Sequence, residues 1–100
     1  MHAWFCDSLD GPDALVWREA PTPEPGPKEV RIKVAAASLN FPDLLIVHGK
    51  YQFRPALPFV PGAEFSGHID ALGAEVKHLK VGDAVTAGRM YMPTAIARLL

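Results

Sequence analysis

The stretch Glu29-Val-Arg-Ile-Lys-Val-Ala-Ala-Ala-Ser-Leu-Asn-Phe-Pro-Asp43 decides the fold. In its first half Val30, Ile32 and Val34 alternate with Glu29, Arg31 and Lys33. A period of two puts successive side chains on opposite faces of a pleated strand, so the run predicts a strand with one apolar face. Small residues carry it on through Ala36 and Ala37 to Ser38-Leu39-Asn40. Pro42 then offers a helix N1 position, with Asn40 just before it, a residue that caps helices well. Asp43 adds an anion in the first turn, where the helix dipole favours one. Leu44, Leu45, Val47 and the terminating Gly49 fit a helix of about two turns.

Working outward, the N-terminal side predicts a hairpin. Met1 to Cys6 is a short apolar run with aromatic character, expected to be a buried or partly buried strand. Ser8 to Asp13 has turn chemistry, and Ala14 to Ala20, with Val16 and Trp17, is the expected second strand. Proline recurs at Pro21, Pro23, Pro25 and Pro27. Proline fixes φ and lacks a backbone donor, so this segment is an extended surface connector rather than a central strand. Such stretches also serve as ligands for aromatic-lined grooves, but the stiff connector is the simpler reading. On the other side, Tyr51 to Pro61 is a second proline-punctuated loop. Ala63 to Leu72 resumes as strand, with Phe65, Gly67, Ile69 and Ala71 alternating against Glu64, Ser66, His68 and Asp70. Gly73 marks a turn, Val76, Leu79 and Val81 lead to Gly82-Asp83, and Ala84 to Thr86 is one more short strand.

Short strands, Gly/Pro turns and one short helix give a mainly β fold class with one short helix, a partly open β-barrel. At 100 residues, 49% of them hydrophobic, the chain can build one modest core. Ten basic and eleven acidic residues without a like-charge run argue against a nucleic-acid partner. No stretch reaches the roughly 20 apolar residues of a membrane span, and Met1 to Asp10 does not read as a secretory signal. The single cysteine, Cys6, excludes an internal disulfide framework and a Cys-rich zinc site. The expected setting is reducing and cytoplasmic.

Four segments resemble the N-terminal, GroES-like domain of the medium-chain dehydrogenase/reductase superfamily in order and spacing. They are Val34 to Asp43, Gly49-Lys-Tyr51, Leu57-Pro-Phe-Val-Pro-Gly-Ala-Glu-Phe-Ser-Gly67, and Leu72-Gly-Ala-Glu-Val76 with Val81-Gly-Asp83. The resemblance implies an incomplete GroES-like barrel over residues 1–87, followed by an atypical tail, 88–100, that reads as a short apolar or helical end. Zinc-dependent members carry a cysteine where Asn40 stands and a histidine where Ala63 stands. A catalytic zinc needs three protein ligands, and neither residue serves. The expectation is therefore no metal, and membership of the zinc-independent quinone oxidoreductase branch.

That branch passes hydride from NADPH to a quinone or another activated carbonyl or alkene acceptor. The resemblance places Asn40 and Tyr51 in the catalytic cleft and Asn40 and Phe41 against the cofactor. An amide both donates and accepts, so Asn40 can orient the nicotinamide or polarise the acceptor oxygen. The plainer reading of Asn40 is the helix cap, and that of Tyr51 is packing after a helix-terminating glycine. The family's other pocket tyrosine falls near Leu45, which opens the acceptor to enones and enoyl thioesters, and so to an enoyl reductase. Asp43 and Glu64 are expected to stabilise the helix start and to make structural hydrogen bonds. His48, His68 and His78 read as surface residues. No G-x-G-x-x-G turn occurs, so the Rossmann domain is expected to be absent and NADPH is not expected to bind this chain alone. Three roles remain open: a reductase front half awaiting a complementing Rossmann domain, a GroES-like assembly module, and a truncated remnant. The family is often homodimeric.

Overall fold

The computed structural model describes residues 1–88 and 96–98. In chain order the elements are β1 (His2–Phe5), a 3-10 turn (Pro12–Ala14), β2 (Val16–Glu19), β3 (Glu29–Ala37), α1 (Phe41–Val47), β4 (Glu64–Leu72), β5 (Ala84–Gly88) and β6 (Ile96–Arg98). Strands β1 and β2 form an antiparallel hairpin, with Trp4 opposite Trp17. The other four strands form one antiparallel sheet in the order β5-β4-β3-β6. The fold is mainly β with one helix, and among the described residues the two sheets do not close into a barrel.

The alternation of β4 is realised as read: Phe65, Gly67 and Ile69 are buried while Glu64, His68 and Asp70 are exposed. In β3, Val30 and Ile32 are buried but Val34 is exposed. Val34 keeps the face of Ile32, with unbroken register between them, but it lines an open cleft with Val60 and Phe65 instead of packing in the core. Val30, Ile32, Phe65, Ile69 and Val76 form the sheet's core, with Leu72, Leu79, Val85 and Ala87 against it. Each fully buried aliphatic side chain there contributes about 1.5–3 kcal/mol of hydrophobic stabilisation.

Two close approaches lock this sheet. At Gly67 a Cβ would collide with the Lys33 carbonyl oxygen, so only glycine lets β3 run this near to β4. At Gly73 a Cβ would collide with the Gly26 and Pro27 carbonyls, which binds the proline connector against the turn after β4. Glu75 N–H donating to the Pro27 carbonyl (2.8 Å) adds to that seam. Arg31 is expected on a solvent face, yet it is clamped there. Its Nε donates to Asp70 Oδ1 (2.7 Å) and its Nη1 to the Pro23 carbonyl (3.0 Å), with Glu24 also within ion-pairing range. The hydrogen bond and charge of Asp70 raise the Arg31 pKa further, so Arg31 stays charged at any working pH.

A second core sits under α1. Cys6, Ile46, Val47 and Phe59 are its buried members, and Leu9, Leu15 and Tyr51 pack on them. Cys6 and Phe59 exchange both backbone hydrogen bonds, at 2.7 and 3.2 Å, which ties the end of β1 to the second proline loop. Helix α1 starts at Phe41, one residue earlier than Pro42 suggests, and ends as the glycine predicts. Gly49 adopts φ +69, its N–H donates to the Ile46 carbonyl (3.0 Å), and Lys50 N–H donates to the Leu45 carbonyl (2.8 Å). That bond pair is the Schellman motif.

The tail expectation needs correcting where it can be seen. Residues 96–98 are not part of a helical end but a strand, with Ile96, Ala97 and Arg98 opposite Arg31, Val30 and Glu29. The free ladder of β3 at this point supplies the pairing, and tertiary partners override local pattern. The rest of the tail after Gly88 lies outside the described residues.

Two measurements test these packing arguments. Gly67→Ala should lower the unfolding free energy by about 3 kcal/mol, the upper end for overpacking, as read by denaturant titration. Cys6 is buried, and its Sγ donates to the Ser8 carbonyl (3.2 Å). Burial, with the charge of Asp7 behind it, pushes the thiol pKa up. The folded state therefore holds this proton longer than the unfolded chain, whose thiol ionises near pH 8.5. This contribution to stability is constant below that pH and should fall as pH rises above it. A thiol reagent at pH 8 should react with one equivalent per chain quickly in denaturant and only slowly in the native state.

Candidate active site

The end of β3 and the start of β4 are fastened by Ser38 N–H donating to the Glu64 carbonyl (3.1 Å). Two residues on, Asn40 leaves the strand with φ −125 and ψ 159 and caps α1. Its backbone N–H donates to Asp43 Oδ2 (2.8 Å), and the Asp43 N–H donates back to the Asn40 carbonyl (3.0 Å). Asp43 is 6% exposed, so this carboxylate holds the helix start from inside, as expected.

The Asn40 side chain is held separately. Its Nδ2 donates to Ser38 Oγ (3.1 Å) and to Glu64 Oε2 (3.3 Å), and Ser38 Oγ donates to the same Glu64 oxygen (3.1 Å). The three side chains form a closed triangle on an exposed lip. On either side of Asn40 stand Leu39, 91% exposed, and Phe41, 70% exposed. An open cleft of about 530 Å³ runs from Ser38 and Glu64 past Ser66 to Thr86 and Gly88. The arrangement offers an oriented amide, a hydroxyl, a carboxylate and two apolar flanks. That set can orient a planar polar group.

Of the residues expected in the site, Asn40 and Phe41 share this lip. Tyr51 does not join them. It follows the opposite end of α1, about 10 Å of helix away from Asn40, and packs on the second core. Leu45 is half-buried in the helix. Glu64 makes structural hydrogen bonds as expected, although they serve Asn40 directly. Ser38 was not singled out by its chemistry. Its signal was positional, since residues i and i+2 of an extended segment face the same side, which places it beside Asn40.

No metal centre is formed by the described residues, among which no three His, Cys, Asp or Glu side chains come close enough to share an ion. His48, His68 and His78 are exposed and separate. Among the described residues no helix is long and apolar enough to cross a membrane. A second cleft of about 550 Å³ lies between β1 and β3, lined by Ile32, Val34, Val60 and Phe65. It contains neither Asn40 nor Tyr51.

Comparison with known proteins agrees with this geometry. The family profile described as Alcohol dehydrogenase GroES-like domain matches residues 26–97. Quinone oxidoreductase-like protein 2 of Rattus norvegicus is 45% identical over 84 residues, which cover 84% of this chain and 23% of the rat protein. A probable oxidoreductase from Mycobacterium abscessus superposes with a TM-score of 0.85 at 36% identity, over 99% of this chain and 32% of that one. The quinone oxidoreductase of Thermus thermophilus, whose structure was also determined in complex with NADPH, superposes with a TM-score of 0.75 at 31% identity. That match covers 97% of this chain and 29% of the Thermus chain. The chain thus spans about a quarter of the length of the curated relatives it matches. With its strand order, its capped helix and these matches, the chain belongs to the alcohol dehydrogenase GroES-like domain family, as an N-terminal domain of the quinone oxidoreductase branch of the medium-chain dehydrogenase/reductase superfamily.

Proposed function

We propose that this chain forms the substrate-side wall of a zinc-independent, NADPH-dependent reductase. Its acceptor is a quinone or another activated carbonyl or alkene, enoyl thioesters included, and its compartment is the cytoplasm. The observation that carries the reading is the side-chain amide of Asn40, oriented by Ser38 and Glu64 on a lip between exposed Leu39 and Phe41. The kinship with quinone oxidoreductases, one of them solved with NADPH, supports the choice of chemistry.

The described residues fit one end of the dinucleotide and not the other. The N-terminus of α1 is already filled by the Asp43 carboxylate, which would repel a phosphate. What this chain offers is the Asn40 amide and the Phe41 ring, both suited to the nicotinamide end. The pyrophosphate is assigned to a Rossmann domain acting with this one. When bound, the dinucleotide supplies the hydride, and the protein's task is to align donor and acceptor and to exclude water. Here Asn40, whose Nδ2 already donates to Ser38 and Glu64, presents Oδ1 to the carboxamide N–H of the ring. Leu39 and Phe41 stand on either side of the amide and shield the reacting atoms once the second domain covers the lip. Ala63 and Asn40 stand where zinc-dependent members place ligands, so the acceptor oxygen is not polarised by a metal.

The test is NADPH oxidation in the presence of a quinone. This chain alone should show neither turnover nor NADPH binding, and both should appear when it is joined to a Rossmann domain of its branch. Asn40→Ala in the joined protein should lower kcat roughly tenfold to a hundredfold, the loss expected when a positioning contact is removed. A metal chelator should leave the rate unchanged. A chelator-sensitive rate, or full activity in Asn40→Ala, would overturn the reading.

A further inference from the structure

We infer that Glu64, together with Ser38, is a positioning residue that fixes the orientation of the Asn40 amide. This rests on the reading of Asn40 as the reactive-site amide. It adds a residue whose role is set by what it does to Asn40 rather than by contact with the reacting atoms.

The geometry is specific. A free asparagine side chain samples three χ1 wells, and its terminal amide has two roughly equivalent orientations. Here both choices are removed at once. Nδ2 is the only part of the side chain that can donate, and it points to Ser38 Oγ and Glu64 Oε2 together. Oδ1 is thereby directed away from the carboxylate, toward the Asp43 backbone N–H of the capping box, with its second lone pair left over. Ser38 cannot do this alone, because a hydroxyl rotates and accepts from any direction. It is itself oriented by donating to the same Glu64 oxygen. Glu64 is therefore the one fixed acceptor of the triangle, and its place is set by the backbone bond from Ser38 N–H to its own carbonyl. A carboxylate accepts more strongly than a neutral oxygen, which favours it here on an exposed lip where water competes for every bond. Asp43 holds the Asn40 backbone from the other side, so main chain and side chain are restrained by different carboxylates.

Counting three wells and two amide orientations, removing the restraint should cut the productive population about sixfold. In the chain joined to its Rossmann domain, Glu64→Ala should lower kcat by about that factor with KM unchanged. Glu64→Gln, whose side-chain oxygen still accepts, should recover most of it. Ser38→Ala should give a smaller loss of the same kind. The decisive reading needs no turnover. In the 15N-labelled chain the Asn40 side-chain NH2 signals should be shifted and slowed in solvent exchange. Glu64→Ala should abolish both effects and Glu64→Gln should retain them. Unchanged Asn40 signals in Glu64→Ala would overturn the inference, as would a kcat loss that Gln does not rescue and that follows a fall in Tm. If the signals respond while quinone reduction by Asn40→Ala stays at full rate, the positioning stands and the catalytic reading of Asn40 falls.

Discussion

The pairing of β3 with β4 is the constraint on which the remaining structure hangs, and Gly67 is where it is tightest. A side chain of any size at that point would meet the Lys33 carbonyl, so the two strands approach only because there is none. From this contact the ladder runs both ways. In one direction Ile32 meets Ile69 and Val30 meets Leu72, which assembles the sheet's core. In the other, Ala37 meets Phe65, and Ser38 is brought beside Glu64. The same register that packs the core therefore delivers the hydroxyl and the carboxylate that hold Asn40. A slip of one residue would turn every side chain of β3 to the other face and dissolve both at once.

The candidate site draws on two layers of support that differ in cost and in sensitivity. The backbone of Asn40 is held by the buried Asp43 carboxylate through a part-buried bond. Its side chain is held by Ser38 and Glu64 on an exposed lip, where each hydrogen bond competes with solvent and contributes on the order of 1 kcal/mol or less. The helix start depends on the first layer together with the capping contact between the Asn40 side chain and the Asp43 backbone, and the direction of the amide depends further on the second. This division lets a single residue serve as both helix cap and site residue. The two readings of Asn40 describe different atoms of the same side chain and backbone.

Much of the architecture was legible in the chain because it rests on local rules. The alternation of Phe65, Gly67 and Ile69 against Glu64, His68 and Asp70 gave the faces of β4. Pro42 and Gly49 bracketed α1 to within a residue, and the cluster of turn residues before Leu15 marked the hairpin. Of the site, Asn40 and Phe41 were legible through their neighbours in the motif, and Asp43 through its place in the first turn. Tyr51 shows the limit of such reasoning. Its position in a motif does not state which way its ring turns, and in the fold it packs, half-buried, on the cluster of Cys6, Ile46, Val47 and Phe59.

What the sequence determined by itself is therefore the elements from β1 to β5, most of their apolar faces and the family to which the segments belong. Periodicity, capping and turn chemistry act over a few residues and are written in order along the chain. What only the tertiary structure decided is which distant groups meet. Glu64 reaches Asn40 across a ladder of 24 residues' separation, Arg31 is clamped by Asp70 from 39 residues away, and the tail segment 96–98 finds the open side of β3. These contacts depend on register, and register is set by the packing of the whole sheet around Gly67 rather than by any short stretch of sequence.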